Sequence, residues 1–154
     1  MTISTKKLTG TGVALVTPFH KNGSIDFKSL SLLVDHIVKG KCEYLVPLGT
    51  TGESVTLSAD EKRAVVECVL EANNKRVPVV LGLGGNNTRE IIDKLRHDHF
   101  DGISALLSVS PYYNKPSQKG ILQHYKMIAE ESPLPIILYN VPGRTGSNMS
   151  VETT

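Results

Sequence analysis

The chain alternates between short apolar runs that stop at glycine or proline and longer stretches with helical periodicity. This alternation limits the fold more than any other feature. The runs cover residues 12–17, 44–49, 77–82, 102–109 and 135–139, with Pro18, Pro111 and Pro142 soon after three of them. Short, nearly continuous apolar runs of this kind read as strands buried on both faces. Between them, Leu30, Leu33, Val34 and Ile37 share one helical face, with Asp26 as the expected N-cap. Ser58 and Glu61 have the spacing of a capping box ahead of a second helix, whose buried stripe is expected to be Ala64, Val65, Cys68, Val69 and Ala72. Thr88 is expected to cap a third helix carrying Ile91, Ile92 and Leu95. Ser117 is expected to cap a fourth, carrying Ile121, Leu122, Tyr125 and Ile128 and ending at Ser132-Pro133.

The strand starts recur about every 30 residues, the size of one strand–helix unit of a parallel sheet. The pattern gives an α/β chain with about five strands and four helices. A repeat of this kind closes either as a barrel or as a doubly wound sheet. A (β/α)8 TIM barrel takes about 250 residues, and this sequence has 154. Ser150-Val151-Glu152-Thr153-Thr154 reads as an N-cap and the first turn of a further helix. Residues 1–154 are therefore expected to be the N-terminal part of a single TIM-barrel domain. A complete five-stranded doubly wound domain is the alternative that length alone favours.

Composition removes several classes. With 40% hydrophobic and 21% charged residues, the chain is globular rather than disordered. A net charge of +2 gives no argument for nucleic acid or an anionic membrane. No apolar run approaches the roughly 18 residues of a spanning helix, and residues 1–8 lack the apolar segment of a signal peptide. Cys42 and Cys68 have neither metal-ligand spacing nor a disulfide framework, which suits a reducing cytoplasm. The glycines at 82, 84 and 85 lack the spacing of a dinucleotide fingerprint. His97 and His99, two apart, make a poor metal pair, and His20, His36 and His124 are scattered. No metal, organic cofactor, nucleic acid or membrane partner is expected.

Three segments follow strands at the end where parallel α/β proteins place their ligands. Gly49-Thr50-Thr51-Gly52-Glu53 can offer hydroxyls and backbone N–H groups to a small carboxylate; read alone, it is an ordinary glycine turn. Pro111-Tyr112-Tyr113-Asn114-Lys115-Pro116 puts two tyrosines in a proline-bounded loop, which calls for a pocket, an interface or simple packing. In Tyr139-Asn140-Val141-Pro142-Gly143-Arg144-Thr145-Gly146, the phenol of Tyr139 could relay a proton and the Arg144 fork could bind a carboxylate. Together they are expected to converge on one pocket for a short acid substrate.

In this order, with the opening Gly12-Val13-Ala14-Leu15-Val16-Thr17-Pro18-Phe19, the motifs closely resemble the dihydrodipicolinate synthase family over nearly the whole chain. Related pyruvate-dependent lyases, N-acetylneuraminate lyases among them, share the glycine–threonine loop and the tyrosine. They usually differ at Arg144-Thr145-Gly146 and at Tyr112-Tyr113. The resemblance implies a (β/α)8 barrel, usually a homotetramer. The implied reaction is a lyase step of lysine and diaminopimelate biosynthesis, condensing pyruvate with L-aspartate 4-semialdehyde through a lysine Schiff base. It also implies that Thr50, Tyr139 and Tyr113 form a proton relay, with Tyr113 reaching across a subunit interface. Thr51 would hold the pyruvate carboxylate, and Arg144 that of the semialdehyde. Ser54, Asn86, Glu90 and Tyr112 match parts of a lysine-effector site, while Ala59 and Lys62 stand where lysine-sensitive members often carry histidines.

The family's Schiff-base lysine lies on the next strand, past Thr154. Lys62, Lys75, Lys94 and Lys126 are expected on helices or their ends and Lys115 in a loop, so this polypeptide alone is expected to be inactive. The alternatives are another pyruvate-dependent class I aldolase, acting on a sialic acid or a 2-keto-3-deoxy acid, and a non-catalytic half-barrel module.

Overall fold

A computed structural model describes residues 8–154. The chain divides into two compact units, one comprising residues up to Gly82 together with Gly102–Ser104, the other Leu83–Asp101 and Ala105–Thr154.

In the first unit, β1 (Gly12–Ala14) runs parallel to β2 (Tyr44–Val46), with Gly12 opposite Tyr44 and Ala14 opposite Val46. A parallel bridge joins Leu45 to Val79, just ahead of β3 (Val80–Gly82). The helices α1 (Phe27–Lys39) and α2 (Ala59–Asn73) pack on one another, burying Leu30 and Val34 from one and Val65 and Val69 from the other. Both expected caps form. The Asp26 carboxylate accepts from the Ser29 amide at 2.9 Å and the Ser29 hydroxyl at 2.7 Å. These bonds, the hydroxyl first, hold the Asp26 carboxyl below its ordinary range. Ser58 and Glu61 close the capping box reciprocally.

In the second unit, β4 (Ala105–Val109) runs parallel to β5 (Ile136–Tyr139), with Leu106 opposite Ile136 and Val109 opposite Tyr139. The helices α3 (Thr88–His97) and α4 (Gln118–Glu131) bury Ile91, Ile92, Leu95, Ile121 and Ile128. Arg96 grips Glu131 with two parallel bonds, from Nε at 3.0 Å and the guanidinium tip at 2.5 Å. A one-turn helix, α5 (Pro142–Thr145), follows β5 in the stretch read as loop.

Several expectations need correction. The strands are shorter than the apolar runs: β1 and β2 leave the ladder before the carboxyl ends of their runs, whereas β3, β4 and β5 reach those ends but join the ladder late. Burial on both faces holds for Leu45, Val80, Leu81, Ala105 and Leu106, but every residue of β5 is half-exposed. Among the described residues β5 pairs with β4 alone. In α2 the buried positions are Val65, Val69 and Asn73; Ala64, Cys68 and Ala72 are only half-buried. The cap of α3 is Asn87, whose carboxamide accepts from the amides of Arg89 and Glu90, not Thr88. The Thr88 hydroxyl instead meets Nδ1 of His124 at 2.8 Å. His124 sits on the inner face of α4 with Ile121, Tyr125 and Ile128, and Leu122 is exposed. The final segment makes a 3-10 turn, Val151–Thr153, rather than an α-helical one.

Candidate active site

β2 ends at Val46, and Pro47 and Leu48 carry the chain to the glycine–threonine tract. Leu48 takes a left-handed backbone, φ +56°, and so does Glu53, φ +52°. Between them, Thr50–Gly52 forms one 3-10 turn, and Ser54–Thr56 forms the next. The left-handed region is unfavourable for a side chain with a Cβ and persists only where surroundings impose it. Two surroundings do so here. The Thr17 hydroxyl, buried just past β1, donates to the Gly52 carbonyl at 2.7 Å. The end of β3 presses on the Leu48 carbonyl so closely that a Cβ at Gly82 would lie 2.2 Å from its oxygen. Thr50 and Ser54 are half-buried and Thr51 is exposed, so the tract presents its hydroxyls from a fixed backbone.

The second unit treats its loops alike. After β4, Tyr113 (φ +68°) and Lys115 (φ +47°) are left-handed. Tyr113 is 86% exposed, so almost none of its ring packs on its own chain, while Tyr112 is half-buried. Of the seven non-glycine residues with positive φ among the described residues, four lie in these two loops. Such strain collects at functional sites.

Tyr139 ends β5, and its carbonyl accepts from the Ser110 amide at 3.1 Å. Behind this junction lies a buried hydroxyl cluster. The Tyr125 hydroxyl donates to the Ser108 carbonyl at 2.9 Å and lies 3.2 Å from the Ser110 hydroxyl. Burial pushes the Tyr125 phenol above its ordinary pKa, partly offset by hydrogen bonds from Ser110 and the Tyr139 backbone. Arg144 is exposed on α5, whose turn ends at left-handed Gly146, φ +69°. Asn86 is half-buried, and the Glu90 carboxylate accepts from Lys94 at 2.7 Å across one helical turn.

The structure thus keeps Thr50, Thr51 and Ser54 together in the first unit, and Asn86, Glu90, Tyr112, Tyr113, Tyr139 and Arg144 in the second. Sequence reasoning missed the buried hydroxyls of Thr17, Ser108 and Ser110, and placed Tyr125 on the buried face of α4 without the bonds of its hydroxyl. A signal existed, since Thr17, Ser108 and Ser110 are polar residues within or just past apolar runs. Among the described residues no lysine lies on a strand. No three His, Cys, Asp or Glu side chains among them are grouped to hold a metal ion, and none of their helices is long and apolar enough to cross a membrane.

Comparison with known proteins points one way. A 4-hydroxy-tetrahydrodipicolinate synthase of Flavobacterium psychrophilum is 60% identical over 144 residues, 94% of this chain and 49% of the relative. That of Bacillus subtilis is 49% identical over 141 residues, 92% of this chain and 49% of the relative. The chain spans about half the length of the curated relatives it matches. Among solved structures, the chloride-inhibited dihydrodipicolinate synthase of Acinetobacter baumannii complexed with pyruvate superposes with a TM-score of 0.89 at 48% identity. The match covers 94% of this chain and 50% of that one. The enzyme of Cyanidioschyzon merolae with lysine bound gives a TM-score of 0.86 at 39% identity, over 94% of this chain and 50% of that one. These neighbours are TIM barrels, which makes the five strands described above barrel strands. The family described as the dihydrodipicolinate synthetase family matches residues 7–154, and the chain belongs to it.

Proposed function

We propose that the protein carrying this sequence is a Schiff-base-forming lyase that condenses pyruvate with L-aspartate 4-semialdehyde to 4-hydroxy-tetrahydrodipicolinate. The observation that carries the reading is the placement of Thr50-Thr51 at the carboxyl end of β2, and of Tyr139 and Arg144 at that of β5, in a member of this family. In the proposed sequence a lysine amine replaces the keto oxygen of pyruvate, releasing water. Loss of a methyl proton gives an enamine, whose carbon bonds to the semialdehyde carbon. The substrate's own amine then closes the ring on the imine and frees the lysine. A nucleophilic amine is activated where an apolar surrounding lowers its pKa, and no described lysine stands on a strand, so on this reading the Schiff-base lysine lies outside the described residues.

The roles follow from chemistry and placement. Thr51, exposed beside a glycine, binds the pyruvate carboxylate. Arg144, exposed on its one-turn helix, binds the semialdehyde carboxylate as a two-pronged donor. Thr50, Tyr139 and Tyr113 move the protons. Tyr113 stands out from its own chain in a strained turn, which suits delivery to a second copy in a homotetramer. Ser54, Asn86, Glu90 and Tyr112 are the proposed lysine-effector contacts. The site of action is the cytoplasm, and residues 1–154 form the first part of one barrel domain.

The test is Arg144→Ala in the full-length protein. Use of aspartate semialdehyde is expected to fall roughly a hundredfold, while the borohydride-trapped pyruvate adduct, read by intact mass, keeps its yield. Equal loss of both would remove Arg144 from the assigned role. No adduct in the parent protein would remove the lyase reading.

A further inference from the structure

The Arg144 loop is held from outside itself. Its own turn supplies a short frame: the amides of Arg144 and Thr145 bond the Val141 carbonyl, and Gly146 bonds that of Pro142. The buried Thr145 hydroxyl donates to the Ser147 carbonyl at 2.7 Å. A one-turn helix of this kind has no stability of its own, so something else must fix where Arg144 points.

Two side-chain amides are placed to do so. At the neck of the loop, the Asn140 Nδ2 donates to Oδ1 of Asn148 at 2.7 Å, and Asn140 Oδ1 accepts from the Met149 amide at 3.1 Å. These bonds span eight and nine residues and close the loop into a ring around Arg144. From the first residue of α4, Gln118 donates to the Asn148 carbonyl at 2.7 Å. Its oxygen accepts from the Ser150 amide at 3.0 Å and the Thr153 hydroxyl at 2.6 Å. The two amides therefore meet the chain at 148–150, one from β5 and the other from α4. On the far side, the Lys115 stem lies over Gly146, where a Cβ would come within 2.8 Å of its Cε.

We infer that Asn140 and Gln118 are positioning residues that hold the Arg144 loop in its binding-ready shape and so set recognition of the second substrate. The inference rests on the role proposed above for Arg144. Neither residue touches the reacting atoms in this scheme. Both are exposed, so removing them exchanges protein bonds for water rather than opening a core. The loss should therefore appear in loop geometry and not in folding.

The experiment compares Asn140→Ala, Gln118→Ala and the conservative Asn140→Asp with the parent full-length protein. It reads KM for aspartate semialdehyde, yield of the borohydride-trapped pyruvate adduct, and hydrogen exchange at the Met149 and Ser150 amides. Both alanine variants should raise KM for the semialdehyde roughly tenfold or more with an unchanged adduct. Exchange should quicken at Met149 in Asn140→Ala and at Ser150 in Gln118→Ala. Asn140→Asp keeps the acceptor for Met149 but loses the donor to Asn148, and should recover only the Met149 half of the hold, with slow exchange restored at that amide. Faster exchange with unchanged KM overturns the inference, and so does parallel loss of adduct and semialdehyde use. If the parent forms no adduct, the lyase reading fails on its own; exchange then decides the latch, and unchanged Met149 and Ser150 amides overturn it.

Discussion

His124, one of the histidines scattered along the sequence, is packed into the core of the second unit. It is 4% exposed, its Nδ1 meets Thr88, and its Nε2 is buried with no hydrogen-bond partner. Tyr125 lies against it edge-on, 5.2 Å between ring centres. Burial lowers its pKa from 6.5 to about 4. The unfolded chain then binds a proton before the folded one does, so stability falls as pH drops below 6.5 and the loss stops growing below about 4. Melting temperatures between pH 7 and 4 should show this decline, and His124→Gln should flatten it. A decline in both proteins that begins only as pH approaches the ordinary carboxylate values of 3.8 and 4.5 would assign the effect to Asp26, Glu61 and Glu131. Hydrogen bonds hold these below their ordinary range, so their stabilisation too is lost on acidification.

Elements were legible wherever the forces that shape them are local. Asp26, Ser58 and Ser117 cap their helices within three residues of themselves, and the sequence alone identifies them. Asn87 and Thr88 are both good caps on paper; a tertiary partner thirty-six residues away settles which serves. The left-handed turns left no trace, since leucine is a residue least expected there. The bend at Leu48 sets its carbonyl against Gly82 of β3 while its side chain is buried. Gly82→Ala should therefore destabilise the protein by about 1–3 kcal/mol through overpacking. Gly143→Ala, where a Cβ would meet nothing within 4 Å, should stay within about 0.5 kcal/mol. Urea unfolding of the two variants side by side measures the difference; equal midpoints would mean that β3 gives way freely. Ser58→Ala, which removes one half of the capping box, should lose about 1 kcal/mol by the same measurement.

At the scale of the molecule, the strand–helix repeat and the family could be read from the motifs, while the left-handed turns and the hydroxyl cluster around Tyr125 needed coordinates. Thr50 and Thr51 stand in a 3-10 turn, Tyr112 and Tyr113 in a loop, Arg144 on the one-turn α5 and Tyr139 at the end of β5, and no described lysine stands on a strand. A polypeptide of only these 154 residues should therefore give no pyruvate adduct after borohydride, as read by intact mass; an adduct on any of its lysines would refute that. The four left-handed side chains of the two candidate loops have a larger consequence. At about 1–3 kcal/mol each, their combined strain is comparable with the net stability of an ordinary domain, about 5–15 kcal/mol. Glycine at exposed Glu53 would relieve one share of it and should raise the melting temperature. The same change would let the threonine tract wander. Under the function proposed above, heat tolerance and ligand affinity are set against each other at the same backbone positions, and a variant selected in the laboratory for one should drift away from the other.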